Sequence, residues 1–181
     1  MANQCVTELE VIGPEEVIRQ SLLLMIDNLK TNGIAEDEPP AEDSRFIDIT
    51  RWISKYTRSP TCAYLEALST DVLSRPMGWD AGVNVLGYGE LYRLRMDFDT
   101  AWGPASTEVD SFIKALPSPC GIYYRPDTDY RYKEFMLKKE GEIEKVELSA
   151  KFDRFKKWDG DLDVFRAQMH KAITNRLPKI K

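Results

Sequence analysis

The sequence predicts an α+β fold with an antiparallel sheet, and three observations carry that expectation. Several segments alternate apolar and polar residues with period two, the mark of a strand half-buried against a core. Other segments place apolar residues three and four apart, the spacing of an amphipathic helix. With one helical insertion set aside, the elements run strand, helix, strand, strand, helix, strand. That is the order of a ferredoxin-like split βαβ sheet with both helices on one face. The 181 residues are read as one such domain over 1–181, with a helical insertion at about 34–77 and a basic C-terminal helix extension at 151–181.

The first strand is "CVTELEVIG", with Cys5, Thr7, Leu9 and Val11 on one face and Glu8 and Glu10 on the other. A helix follows from Pro14, whose fixed φ suits the first helical position, and Glu15 and Glu16 suit its positive end. Val17, Leu22, Met25, Ile26 and Leu29 form its apolar stripe, and Asn32-Gly33 stops it. Leu23 and Leu24 widen the stripe, which predicts a helix covered on more than one side. "IAEDEPPAEDS" carries five acids, two adjacent prolines and no base, so it reads as an exposed loop. Two helical stretches come next. Phe46, Ile49, Trp52, Ile53 and Tyr56 mark the first, and Tyr64, Leu65, Leu68 and Val72 the second, with Ser59 as its cap.

Strands resume with "GVNVLGY" and with "ELYRLRMDFD", where Tyr92, Leu94, Met96 and Phe98 oppose Arg93, Arg95, Asp97 and Asp99. This alternation implies a sheet with one wet face. "STEVDSFIKALP" is a short helix with Thr107 as cap, Phe112, Ile113 and Leu116 inward and Pro117 as terminator. "GIYYRP" and "YRYKEFMLKKEGEIEKVEL" are strands, the latter folding back near Glu140-Gly141. "DLDVFRAQMHKAITNRL" closes the chain as a helix.

Composition narrows the function. The chain is 43% apolar and 30% charged, ordinary for a globular protein and unlike a disordered one. No apolar run reaches the ~18–20 residues of a membrane span, and "MANQCVTELEV" has no basic-then-apolar leader, so a cytoplasmic protein with no membrane partner is expected. Cys5, Cys62 and Cys120 are odd in number and widely spaced, as buried small hydrophobes in a reducing compartment are. Residues 1–150 carry 16 Lys and Arg against 26 Asp and Glu, a balance of −10, while residues 151–181 carry 9 against 4, a balance of +5. The acidic body repels a nucleic-acid backbone and the basic tail attracts one locally. The tail also reads as a helix with a solvated basic face.

A resemblance adds to this reading. "MANQC" with "ELEVIGPEE", then "GWDAGVNV", the "FDTAWGP" corner and "YYRPDTDYRYKEFMLKKEGE" occur in one order. Together they resemble the YubB-type ferredoxin-like proteins of bacterial plasmids and phages, over residues 1–30 and 78–148. Gln4 stands where that pattern has an aromatic, and Gly103 where it has Ser. The resemblance implies a ferredoxin-like fold and a mobile-element origin, and brings no catalytic residues with it.

The candidate sites follow. Trp102 continues the parity of Phe98 and Thr100, so Trp102, Pro104 and Thr107 read as a structural corner closing the sheet's end, with a binding-site wall as the alternative. Asp159, Asp161 and Asp163 mimic a calcium loop, but Val164 and His170 stand where its Gly and Glu belong. No zinc spacing or phosphate loop is present, so no metal and no cofactor is expected. Asp97 and Asp99 with Glu8 or Glu10 could hold Mg²⁺ in a metal-dependent enzyme, yet Arg93 and Arg95 on the same face favour mutual ion pairing. The expectation is a non-enzymatic phage or plasmid accessory protein that binds a host protein or protein complex. Its binding residues are Glu36, Asp37, Glu38, Glu42, Asp43, Arg93, Arg95, Asp97 and Asp99, in the manner of an acidic antagonist of a host defence system such as a CRISPR effector. The rival reading is nucleic-acid binding through Lys171, Arg176, Lys179 and Lys181 with Tyr123 and Tyr130 as stacking groups.

Overall fold

A computed structural model describes residues 4–57, 81–88, 91–101, 106–125 and 134–145, and the single positions 167 and 171. The described elements are β1 (Gln4–Gly13), α1 (Glu15–Thr31), α2 (Phe46–Thr57), β2 (Ala81–Tyr88), β3 (Leu91–Ala101), α3 (Ser106–Ala115), β4 (Cys120–Arg125), β5 (Glu134–Lys139) and β6 (Glu142–Lys145). The six strands form one sheet in the order β2-β3-β1-β4-β5-β6, and every neighbouring pair is antiparallel. The fold is therefore α+β, and its β2-β3-β1-β4 core is compatible with the ferredoxin-like class. Among the described residues, no helix is long and apolar enough to cross a membrane.

Alternation places Leu9 and Val11 of β1, Leu94 and Met96 of β3, and Ile122 and Tyr124 of β4 in one core with the helices. α1 contributes Val17, Ile18, Leu22, Met25, Ile26 and Leu29; α2 contributes Ile49, Trp52 and Ile53; α3 contributes Val109, Phe112 and Ile113. The three helices thus share one face of the sheet. Gly33, at φ +68°, ends α1 as its sequence predicts, donating to the Lys30 carbonyl while Ile34 and Ala35 donate back to Leu29. Glu140 and Gly141, both at positive φ, form the two-residue turn between β5 and β6.

Two helix starts differ from expectation, α1 by one residue and α3 by two. Pro14 stands at the cap position just before α1, and its carbonyl accepts the first helical bond, from Ile18. α3 begins at Ser106, so Thr107 lies inside the first turn instead of capping it. A cap is a position set by backbone dihedrals, and residue type alone fixes it only to within one or two residues.

Gly13 shows why the β1–α1 junction excludes a side chain. A Cβ there would lie 2.9 Å from Val17 Cγ1 and 3.4 Å from the Pro119 carbonyl oxygen. Val17 is branched and buried, so it cannot swing away. Gly13→Ala is expected to destabilise the protein by about 1–3 kcal/mol, the usual range for overpacking, read as a lower denaturant midpoint at unchanged slope.

The second face of the sheet departs from the wet face expected. Glu10 (2% exposed), Ile12 (0%), Tyr123 (2%), Phe135 (7%) and Leu137 (3%) all lie on it and are buried. The register explains the grouping: Glu10 opposes Tyr123 and Tyr123 opposes Phe135, while Ile12 opposes Gly121 and Gly121 opposes Leu137. Consecutive apolar residues in the strands (Val11-Ile12, Tyr123-Tyr124, Phe135-Met136-Leu137) are the signature of strands buried on both sides.

Candidate functional site

The second sheet face carries a charged ladder beside its apolar centre. Arg93 Nη1 lies 3.8 Å from Glu10 Oε1, Arg95 Nη2 3.6 Å from Glu8 Oε1, and Arg125 Nη1 3.4 Å from Glu8 Oε2. Two of these pairs are diagonal across β1 and β3, where register sets Glu10 opposite Arg95 and Glu8 opposite Asp97. On this face Arg93 and Arg95 pair with the glutamates of β1. The Arg93 and Glu10 side chains are 15% and 3% exposed, so that pair is removed from solvent; Arg95, at 43%, is the accessible member. Asp97 and Asp99 occupy β3, but their side chains lie outside the described residues.

Tyr123 is not a stacking platform for nucleic acid. Its ring packs on Phe135 with centroids 5.3 Å apart, and burial raises its hydroxyl pKa to about 12, with the Glu8 charge adding to the effect. A base cannot reach a ring that is 2% exposed.

The loop from Ile34 to Arg45 is the second candidate surface, and its construction is specific. Arg19, on α1, donates from Nη1 to the carbonyls of Glu42 (2.7 Å) and Ser44 (2.8 Å). The same guanidinium pairs with Glu15 at 2.8 Å and lies 4.8 Å from the centroid of the Phe46 ring. Lys30 donates to the carbonyls of Glu36 (3.5 Å) and Asp37 (3.2 Å). Asp37 turns to α2: the Tyr56 hydroxyl and Lys55, the latter at 3.5 Å, hold its carboxyl below the usual carboxylate range. The cations of α1 therefore hold the loop by its backbone.

The consequence is a division of the five predicted acids. Glu36, Glu38, Glu42 and Asp43 are exposed, and among the described residues none of their carboxylates forms an ion pair. Asp37 serves the loop's own attachment. Sequence composition found the acids; the anchoring role of Arg19 and Lys30, which sit on a helix seen only as an amphipathic stripe, was missed. Their signal is two bases placed a loop's reach before an all-acidic segment.

α1 is half-covered on its outer side. Leu23 and Leu24 are partly buried and, with Gln20, Asp27, Ala115 and Pro117, line an open groove of about 360 Å³. Of the remaining predicted site residues, Lys171 is exposed at a helical position. Trp102, Pro104, Tyr130, Arg176, Lys179, Lys181, the second insertion helix and the aspartates of the mimicked calcium loop lie outside the described residues. Comparison with protein-family models, with curated proteins and with solved structures gives no match.

Proposed function

We propose that the protein is a non-enzymatic binding protein that engages a basic macromolecular partner through the acidic loop, displayed on a ferredoxin-like scaffold. The observation that carries this reading is the way the loop is held. Arg19 and Lys30 spend their hydrogen bonds on its carbonyls, so Glu36, Glu38, Glu42 and Asp43 keep their charge for the outside. A pre-ordered cluster of one sign steers an oppositely charged surface and loses little entropy on binding. The resemblance to YubB-type proteins supports a phage or plasmid origin. In that setting the basic groove of a host defence complex, such as a CRISPR effector, is the proposed target.

Charge reversal tests the reading. Converting Glu36, Glu38, Glu42 and Asp43 to Lys, with Asp37 retained because it binds Lys55 and Tyr56, is expected to abolish capture of a host protein complex at moderate salt. Exposed loop charges contribute little to stability, so the variant is expected to fold. Neutralising Lys171, Arg176, Lys179 and Lys181 is expected to leave capture intact. Tail-dependent binding of labelled nucleic acid, with a salt slope that flattens by about 0.9 per lost phosphate contact and no protein captured, would overturn it.

A further inference from the structure

Lys138 is a buried lysine that the proposed binding role does not use. It occupies the helix-facing side of β5, is 3% exposed, and points at the end of α3. Its Nζ donates to the carbonyls of Ile113 (3.1 Å), Lys114 (2.5 Å) and Leu116 (2.5 Å). An ammonium has three hydrogens, and here each has a carbonyl. Ile113 and Lys114 belong to the last turn of α3, whose carbonyls a helix leaves without partners at the negative end of its dipole, and Leu116 lies one residue beyond it. The Leu116 N–H closes on the Phe112 carbonyl, and a side chain from a strand serves the carbonyls that follow.

The residue opposite Lys138 in the β4–β5 register is Cys120. Its thiol is 0% exposed and shares a core cluster with Phe112, Ile113 and Leu116, the very turn that Lys138 holds. Only Pro117, Ser118 and Pro119, all half-buried, join that turn to Cys120.

We infer that Lys138 is the latch of the α3–β4 junction: its ammonium holds the last turn of α3 over Cys120, and release of that turn, without global unfolding, admits reagents to the thiol. The latch joins parts distant in sequence, since Lys138 lies 22 to 25 residues beyond the carbonyls it binds. Groups facing it are the Cys120 thiol from β4 and the α3 carbonyls, with Ile143 of β6 beside it in register. The opening is a local event of the kind that ranges from near zero up to the global unfolding free energy.

The test uses the full chain with Cys5→Ser and Cys62→Ser, leaving Cys120 as the thiol to be labelled by a disulfide reagent. The closed thiol is inert, being pushed by burial to about 12, so labelling reports opening. The expected result is a labelling rate nearly independent of denaturant at low concentration. Lys138→Met, which keeps the stem and removes the donors, should raise that rate roughly tenfold or more beyond the change in global unfolding, the factor one charge-assisted hydrogen bond is worth. Labelling that follows global unfolding at every denaturant concentration, in the parent and in the variant alike, would overturn the latch. Should Lys138→Met fail to fold, the denaturant dependence in the parent decides alone: a flat low-denaturant limb supports the latch, and a slope equal to the global one refutes it.

Discussion

Truncating Phe112 to alanine is expected to destabilise the protein by about 4–5 kcal/mol, in the upper part of the range for a buried phenylalanine. α3 is ten residues long and joins the core through Val109, Phe112, Ile113 and the following Leu116, so one ring is a large share of its attachment. Phe112 is 2% exposed, and its neighbours Ile113 and Leu116 are fixed by the Lys138 hydrogen bonds to their carbonyls. A turn tethered in that way cannot collapse into the space a removed ring leaves, and uncollapsed cavities carry the higher penalties. Ile47→Ala is the control. Ile47 lies on the outer side of α2 and is 54% exposed, so its loss is expected to stay within about 0.5 kcal/mol. Chemical denaturation of both variants measures the difference. A Phe112→Ala penalty no larger than that of Ile47→Ala would show that α3 is loosely attached.

The parts of the fold governed by one periodicity were legible in the sequence. β1 kept Leu9 and Val11 apart from Glu8 and Glu10, α1 buried its stripe, and Asn32-Gly33 and Glu140-Gly141 supplied the stop and the turn. The α+β order followed because strand and helix periods differ. The second sheet face was misread because Arg93 and Arg95 alternate with Leu94 and Met96 whether the charged side meets water or a buried glutamate. Burial of that side is encoded in consecutive apolar residues on other strands, a signal weaker than alternation. The acidic loop was visible from composition alone. What holds it was not, because Arg19 and Lys30 act through carbonyls, which have no sequence identity. Lys138 escaped for a similar reason: in "EFMLKKEG" it looks like the start of a polar turn, and only the position of α3 makes it a cap.

Alkali is expected to unfold this protein earlier than its charge would suggest, through two buried acids. Burial raises the Cys120 thiol from 9.0 to about 12, against a smaller opposing effect from Lys138, and it raises the Tyr123 hydroxyl from 10.0 to about 12. In the unfolded chain both groups ionise at their ordinary values. Between those values and 12 the unfolded state therefore binds fewer protons than the folded one, and stability falls as pH rises. The contribution is fully present below pH 9 for the thiol and below pH 10 for the phenol. By pH 11 the thiol has crossed two pH units and the phenol one, worth about 2.7 and about 1.4 kcal/mol at 1.36 kcal/mol per unit. Lys138 acts with the opposite sign. Burial lowers its pKa from 10.5, so the folded state disfavours its charged form and stability gains from it as pH climbs to that value, then no further. Above pH 10.5 the two acids act without that offset, and the decline is steepest there. Other ionisable groups titrate in the same range, so the decisive quantity is a difference between proteins. Unfolding free energies measured from pH 8 to 11 should fall by about 2.7 kcal/mol less in Cys120→Ala than in the parent, and by about 1.4 kcal/mol less in Tyr123→Phe. Parallel profiles for the parent and both variants would mean that neither group is held neutral by the fold, and that the sheet is open to water where Cys120 and Tyr123 sit.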